Sequence, residues 1–232
     1  MNKKELVLRF RPLVSLACRV HNLRNVFRIR GRGKGNRVEA PCALLNRVKI
    51  AFSGCNNTVI VEDFSTLKGV SVYIHGNDNV VHIGKWCHLV QTEFSISQSG
   101  NAITIGEHTK IMGKTELAAI EGTKITIGND CLFSSEIHFR TGDSHSMLDL
   151  SGRRINPSQD IVIGDHVWIG TRVTCLKGAV VPPHSVVGAC ALVTGSFAKA
   201  NCVLAGVPAR VVKEGVDWCI QRIPMEETAP VN

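Results

Sequence analysis

The chain has 232 residues, a net charge of +8 and 44% hydrophobic residues, which suffices for one large domain with a core. No cluster of Lys and Arg is interleaved with aromatic residues, so we expect no nucleic-acid partner. No apolar run approaches the roughly 18–20 residues that a membrane-spanning helix needs. The nine cysteines form no CxxC pair, which argues against a disulfide framework or a zinc site and favours reduced thiols.

The first 30 residues are predicted to form a basic arm or helix. We interpret this segment as a cap on the domain that follows, and a basic amphipathic contact with a membrane surface is the alternative. Arginines interrupt its apolar run and no small-residue cleavage site follows, so we expect no signal peptide and a cytoplasmic protein. Pro12 weakens the helical pattern. One predicted helical face of residues 6–23 carries Leu6, Phe10, Leu13, Ala17 and Val20.

A repeat dominates the middle of the chain. Short apolar segments follow turns rich in Gly and Asn, which is typical of a solenoid of stacked strands. Their central apolar residues, at 83, 105, 127 and 163, are separated by 22, 22 and then 36 residues. The segments are VVHIGK (80–85), AITIGE (102–107), KITIGN (124–129) and DIVIGD (160–165).

A finer period of six residues continues after residue 163, beginning IGDHVW, IGTRVT, CLKGAV. Three six-residue sides make a triangular coil of roughly 18 residues, and coils stack about 4.8 Å apart. This pattern predicts an all-β solenoid over residues 31–212, interrupted by a loop near 138–158. A β-sandwich has no reason to keep such phasing. Residues 211–222 leave the frame after Pro208, so 213–232 are predicted to be a short helix and tail.

Two stretches carry a resemblance to a known family. VWIGTRVTCLKGAVVPPHSVVGACALVTGSF (167–197) and VLAGVPARVVK (203–213) resemble the hexapeptide-repeat acetyltransferases. LAAIEGTKITIGNDCLFSSEIHFRTGDSHSMLD (117–149), with GRRINP (152–157), resembles the O-acetyltransferases of bacterial capsule, lipopolysaccharide and sialic-acid polymers. The resemblance implies a left-handed parallel β-helix, acetyl-CoA as co-substrate, a polysaccharide acceptor and a homotrimer with sites between subunits.

His145 is the candidate catalytic base. Transfer of an acetyl group to a hydroxyl needs a base that takes the hydroxyl proton, and neutral histidine suits this task near pH 7. Among the nine histidines, His145 lies where the spacing of 22 becomes 36. It also matches the position of the catalytic histidine in the family that the chain resembles. His138 is the fallback.

The candidate acceptor-binding residues surround His145. Asp143 and Ser144 could orient its imidazole or bind sugar hydroxyls, although Asp143 is equally suited to making the turn in TGDS. Arg140 is a natural partner for the carboxylate of an anionic sugar. A solvated loop charge is the alternative for Arg140.

The candidate cofactor residues follow from the resemblance. Trp168 is placed in the pantetheine channel, with a packing role as the alternative, and Gly170 allows close approach of the cofactor. The family often has Thr-Lys-Asp where this chain has Thr-Gly-Ser, and Lys199 is a candidate replacement for the missing lysine. The remaining positions implied to contact coenzyme A are Thr171, Gly188, Ala189, Thr194, Arg210 and Lys213.

Three other functions are alternatives to acetyl transfer to a sugar hydroxyl. An N-acetyltransferase acting on an amino sugar of a nucleotide sugar uses the same scaffold. A γ-class carbonic anhydrase carries two metal-binding histidines five residues apart, and no pair here has that spacing, so no metal is expected. A non-catalytic structural solenoid or binding module would favour an uninterrupted repeat.

Overall fold

The computed structural model describes residues 10–25, 28–31 and 34–224. In this part of the chain one helix, α1 (Arg11–Arg24), precedes a series of short strands. In chain order the strands are β1 (Arg28–Arg30), β2 (Arg37–Glu39), β3 (Leu44–Asn46), β4 (Lys49–Ser53), β5 (Thr58–Val61), β6 (Thr66–Lys68), β7 (Ser71–His75), β8 (Val80–Ile83), β9 (His88–Val90), β10 (Thr92–Ser97), β11 (Ala102–Ile105), β12 (Lys110–Ile111), β13 (Thr115–Ile120), β14 (Lys124–Ile127), β15 (Leu132–Phe133), β16 (Ile137–Arg140), β17 (Ile161–Ile163), β18 (Trp168–Ile169), β19 (Thr174–Leu176), β20 (Val180–Val181), β21 (Val186–Val187), β22 (Leu192–Val193), β23 (Cys202–Gly206) and β24 (Ala209–Glu214).

The strands form the three sides of a parallel β-solenoid, as predicted. One sheet contains every third strand from β1 to β22, a second contains every third strand from β2 to β20, and the third runs from β3 to β24. Most paired residues are 22 apart before the long interval, as in Ile83 and Ile105, and 18 apart after it, as in Ile163 and Val181. The spacing is one residue shorter in the first coil, as in Arg37 and Thr58, and in the pairing of β21 with β23. Both sequence periods are therefore real coil lengths.

The core is a stack of aliphatic side chains from successive coils, because alternate residues of each strand point into the prism. Cys87 and Cys131 are buried in this core, and all nine cysteines are free thiols. Burial raises the pKa of the Cys87 thiol to about 12. One column of the core, each member at most 1% exposed, contains Val61, Ile83, Ile105, Ile127, Ile163 and Val181.

The turn asparagines form a buried ladder at one corner of the prism. The Asn79 side chain donates from Nδ2 to Asn57 Oδ1 at 3.0 Å, and its own Oδ1 accepts from the Asn101 backbone N–H at 2.8 Å. The ladder continues through the Thr123 N–H to the hydroxyl pair of Thr123 and Thr141, 2.6 Å apart. Among the described residues, no buried side-chain nitrogen or oxygen lacks a partner, so this polar corner is fully hydrogen-bonded.

Helix α1 covers the first coil through a different face from the one predicted. Asn22 is buried, and it donates to the Ala43 carbonyl at 3.0 Å and accepts from the Leu45 N–H at 2.8 Å. These backbone groups belong to the edge of the sheet at β3, where a free edge requires polar partners. The predicted apolar face is exposed instead, as at Leu13. Leu6, predicted on that face, lies outside the described residues.

The predicted C-terminal helix is wrong for the described part of the tail. Strand β24 runs antiparallel to β23, and residues 215–224 contain no helix. Gly206, with φ of +99°, lies in the turn between these strands. The β-branched Val211 and Val212 favour a strand, and β24 covers what would be the open edge of β23. Residues 225–232 lie outside the described part.

Within the described residues, no helix has the length and apolar character needed to cross a membrane.

Candidate active site

The coil is interrupted at the corner between β16 and β17. The chain leaves the eight-stranded sheet at Arg140 and enters the seven-stranded sheet at Ile161. The interval is folded, because Leu148 and Arg154 form an antiparallel bridge and Asp149 Oδ1 accepts the backbone N–H of Arg153 at 2.9 Å. We call residues 141–160 the corner loop.

Asn156 organises the corner loop around His145. It is 5% exposed. Its Nδ2 donates to Asp143 Oδ2 at 2.7 Å and to the His145 carbonyl at 2.9 Å, and its Oδ1 accepts from the Met147 N–H at 2.8 Å. One buried amide thus fixes the backbone on both sides of His145.

The His145 side chain is exposed. In contrast to its backbone carbonyl, its imidazole has no hydrogen-bond partner among the residues that the structure describes. Both ring nitrogens are therefore open to an incoming molecule in the isolated chain.

Asp143 stabilises the loop and does not contact the imidazole. Its carboxylate accepts from Lys177 Nζ at 2.6 Å, in addition to the Asn156 amide. These two hydrogen bonds, that of Lys177 first, lower the pKa of Asp143. Because Lys177 follows β19, the contact ties the loop to the next coil. The geometry agrees with the turn-making alternative for Asp143 rather than with orientation of His145.

A second tie joins the loop to the coil before it. The Glu121 carboxylate accepts from Arg154 Nη2 at 3.0 Å and from the Ser158 hydroxyl at 2.7 Å. The hydrogen bond from Arg154, followed by that from Ser158, lowers the pKa of Glu121 to about 2. Glu121 occupies a turn with φ of +59°. No role was assigned to it from the sequence.

A cleft of about 310 Å³ adjoins this loop. It brings together the three predicted acceptor-binding residues, Arg140, Asp143 and Ser144, and Ser144 directly precedes His145. Its remaining lining comes from Gly142 of the corner loop and from β10, β13 and the turns that follow them, through Ser97, Gln98, Ala118, Ile120 and Glu121.

His138, the fallback base, lies on β16 and is already paired. Its Nδ1 is 3.1 Å from Glu116 Oε2, and Arg140 Nη2 lies 2.9 Å from Glu116 Oε1. The carboxylate of Glu116 therefore sits between two cationic or ionisable groups and fixes both against the sheet.

The predicted cofactor residues lie elsewhere on the solenoid. Trp168 begins β18 in the nine-stranded sheet, and its side chain is 40% exposed. A Cβ atom on Gly170 would lie 2.7 Å from the Ala189 nitrogen, so close packing of the next coil alone requires a glycine there. In a three-sided coil the nine-stranded sheet is opposite the corner that carries the loop. The structure thus separates Trp168 from the corner of the loop by the width of the prism.

The other predicted cofactor positions occupy turns and the terminal strand. Arg210 and Lys213 lie on β24, in the same sheet as Trp168. Lys199, the candidate replacement lysine, forms an ion pair with Glu214. Thr171 follows β18, Gly188 and Ala189 follow β21, and Thr194 follows β22 at the corner that carries the loop.

A cluster beside Trp168 was missed by sequence reasoning. Trp218 stacks on His166 at 4.4 Å between ring centroids, and the two residues exchange hydrogen bonds between their rings and carbonyls. Asp217 lies 3.5 Å from ring nitrogens of both His166 and His184. The histidines are one coil, 18 residues, apart, so stacking rather than local spacing brings them together. The cluster fastens the C-terminal segment to the solenoid.

No family model matches the chain. A polysialic acid O-acetyltransferase from Neisseria meningitidis is 33% identical over 186 residues, covering 71% of this chain and 86% of that protein. The solved structure of the polysialic acid O-acetyltransferase OatWY superposes with a TM-score of 0.80 and 31% identity over 88% of this chain and 95% of that one. The structure of the polySia-specific acetyltransferase NeuO gives 0.79 and 30%, over 88% and 93%.

These likenesses extend over nearly the full length of each solved chain. The interrupted parallel solenoid and the sequence identity point to the same group of enzymes. The chain therefore belongs to the hexapeptide-repeat O-acetyltransferases and is an acyltransferase built on a left-handed parallel β-helix.

Proposed function

We propose that this protein transfers the acetyl group of acetyl-CoA to a sugar hydroxyl of a bacterial surface polysaccharide, with His145 as the general base. The relatives named above act on polysialic acid, and a sialic-acid polymer is accordingly the first acceptor to test. The observation that carries the proposal is the cleft lined by Arg140, Asp143 and Ser144, next to a histidine whose imidazole is free and whose backbone is held by Asn156.

The chemistry follows from these groups. The neutral imidazole of His145 takes the proton of the acceptor hydroxyl as its oxygen attacks the thioester carbonyl. The tetrahedral intermediate collapses to a sugar acetate ester, the carbon–sulfur bond breaks, and the imidazolium returns the proton to the departing thiolate. Asn156 contributes by positioning, because it holds the His145 carbonyl and the Met147 N–H on either side of the base.

The cleft also suits an anionic acceptor. The Arg140 guanidinium lines it and can pair with a sugar carboxylate. Lys177 adds positive charge beside Asp143. Each sialic-acid unit carries one carboxylate, so a polymer of this kind offers the charge that Arg140 complements.

The cofactor is expected to use a second surface. Trp168 is partly exposed, and Arg210 and Lys213 lie on the same sheet, where their charges suit the phosphates of coenzyme A. Since the loop of the same chain leaves from the opposite corner, these groups and His145 would meet most simply across two copies of the chain. A homotrimer with its sites between subunits supplies this arrangement, and the separation of the two surfaces supports it.

The test is an acetylation assay with a direct product readout. The purified protein is incubated with acetyl-CoA and one acceptor at a time: polysialic acid, another capsular polymer, lipopolysaccharide or a nucleotide-linked amino sugar. Mass spectrometry detects added acetyl groups. We expect one polymer to be acetylated, and His145→Ala to lower kcat by about 10²-fold or more, the scale of general-base catalysis.

His138→Ala is the matched control and retains most activity, because His138 is already paired with Glu116. Full activity of His145→Ala would refute the role of the base. Acetylation of amino sugars alone would replace the proposal with an N-acetyltransferase.

A further inference from the structure

Helix α1 has two unlike faces. Polar contacts hold one face to the solenoid: Arg11 pairs with Asp63 at 2.7 Å, the Ser15 hydroxyl donates to the Pro41 carbonyl at 2.8 Å, and Asn22 bonds to β3. Cys18, on the same face, is buried. At 100° per residue these positions form one stripe along the helix. Docking therefore uses the polar side of an amphipathic helix.

The opposite face is apolar and open. Leu23 is 86% exposed, and Leu13 and Leu16 are each more than 60% exposed. Single exposed apolar residues are ordinary, but a continuous stripe on one side of a helix marks an interaction surface. We call this stripe the outer face; it contains Phe10, Leu13, Leu16, Val20 and Leu23.

Positive charge is concentrated in the same part of the sequence. The first 50 residues contain 13 Lys and Arg against 2 Asp and Glu, a net charge of +11, so the remaining 182 residues carry −3 of the total of +8. Exposed members of this group within the described residues are Arg11, Arg19, Arg24, Arg28, Arg30, Lys34, Arg37, Arg47 and Lys49.

We propose that α1 binds an anionic lipid surface, with the outer face inserted at the boundary of the headgroups and the neighbouring arginines on the lipid phosphates. Apolar burial combined with attraction to anionic lipids is how a basic amphipathic helix lies in a membrane interface. A second copy of the chain fits less well, because two such basic ends repel each other. This inference goes beyond the transfer reaction and does not depend on it.

The experiment measures sedimentation of the full-length protein with vesicles, without acetyl-CoA or sugar. Vesicles of equimolar phosphatidylcholine and phosphatidylglycerol are compared with vesicles of phosphatidylcholine alone. We expect binding to the anionic vesicles, weaker binding to the neutral ones, and a loss of binding as salt is raised, because salt screens exposed charges.

Two sets of substitutions separate the apolar and the electrostatic contributions. Replacing Leu13, Leu16 and Leu23 together by Gln is expected to weaken vesicle binding at least about tenfold, since the outer face supplies the apolar burial. Arg19→Gln with Arg24→Gln is expected to weaken binding to anionic vesicles only. The matched control makes the same kind of change at exposed apolar residues outside the helix, Met112→Gln and Ile223→Gln, and binds as the wild type does.

The proposal is overturned if the wild-type protein stays in the supernatant with anionic vesicles at low salt, or if the leucine variant binds as tightly as the wild type. Light scattering of the same proteins tests whether a second copy of the chain covers the outer face instead. If the leucine substitutions reduce the mass of the particle in solution and the wild type does not bind vesicles, the outer face is a contact between subunits. Acetyl transfer to a soluble polymer, measured in parallel, reports on the proposed function separately.

Discussion

The coils before and after the corner loop differ in size. Before it the repeat is 22 residues and β10 and β13 have six residues each; after it the repeat is 18 and β19 and β22 have three and two. The wide coils therefore overhang the narrow ones at the corner where the chain departs. Ser97, Gln98 and Glu121, from the overhang, form one wall of the cleft, and Asp143 and Ser144 form another.

This comparison shows how a repeat protein makes a concave site. A uniform solenoid presents flat faces, whereas a change in coil length creates a step. Asparagines at the turns of the wide coils hydrogen-bond one coil to the next, whereas Asn156 in the loop holds the backbone on both sides of His145. Replacing an asparagine is therefore expected to lower mainly activity in the loop and mainly stability in the wide coils.

The largest effect is expected in the loop. Asn156→Ala leaves the His145 carbonyl and the Met147 N–H without their partner, and misplacing the base is expected to lower kcat by about 10²-fold. The midpoint of thermal unfolding should change little, because the coil stack is untouched. Kinetics and calorimetry on the same preparation test this. Asn156→Gln should recover part of the lost kcat, because it keeps the amide. The pH profile of Asn156→Ala should keep the wild-type shape, which distinguishes a misplaced base from a missing one.

The reverse pattern is expected in the ladder. Asn79→Ala removes a fully buried amide and leaves the Asn101 N–H unpaired, while Asn57 Oδ1 keeps only the backbone N–H of residue 79. An unsatisfied buried group costs about 1–3 kcal/mol, so denaturant unfolding should show a loss of free energy of unfolding of about that size. The kcat of the protein that remains folded should stay near the wild-type value. If Asn79→Ala instead lowered kcat strongly and left the free energy of unfolding unchanged, the proposed difference between the ladder and the loop would be wrong.

A smaller effect concerns the tie between the loop and the wide coil. Glu121→Gln weakens the contacts to Arg154 and Ser158. It should lower kcat/KM about tenfold, because the loop that carries His145 loses its charge-assisted tie to the wide coil. Glu62→Gln is the matched control, because its carboxylate pairs with His82 on β8, away from the corner loop and the cleft.

The pH dependence of that tie has a defined sign. The pKa of Glu121 falls from 4.5 to about 2 in the folded protein, so its contribution is fully present above pH 4.5 and is lost as the pH falls towards 2. Cleavage by pepsin, active in acid, can follow loop opening near the exposed Leu150. Wild type should resist cleavage at pH 4 better than Glu121→Gln, and the difference should shrink near pH 2.

The smallest effect is expected on the other side of the loop. Lys177→Met removes the bond to Asp143 but leaves the Asn156 contact in place. We expect KM for the polymer to rise a few fold and kcat to change less, since about 1 kcal/mol is typical of one partly exposed ion pair. Initial rates over a range of polymer concentrations separate the two parameters. If Lys177→Met lowered kcat more than Asn156→Ala does, the contact between Lys177 and Asp143 would matter more for positioning His145 than the Asn156 amide.

Much of the fold was predictable because a repeat imposes the same side-chain pattern on every coil. The spacing at Ile83, Ile105 and Ile127 predicted the stacking that the structure contains. The group around His145 was predictable only in part. His145 and the acceptor residues lie in one continuous stretch, but Asn156 acts from eleven residues away and Glu121 from the preceding coil, through contacts that no local period encodes.

The two ends were harder to predict for a related physical reason. An end of a solenoid lacks the neighbouring coil that gives each interior residue its environment. At α1 the unpaired backbone of β3 selected the polar face with Asn22, against the hydrophobic pattern. At the tail, pairing with β23 turned Val211 and its neighbours into a strand, although leaving the six-residue frame had suggested a helix.

The way in which the two edges of the nine-stranded sheet are covered determines whether a strand of another molecule can add to it. At one edge Asn22 occupies the hydrogen-bonding groups of β3, and at the other β24 lies antiparallel on β23 and breaks the parallel register. An incoming strand from another molecule meets no matching template at either edge of this sheet, which disfavours end-to-end fibres.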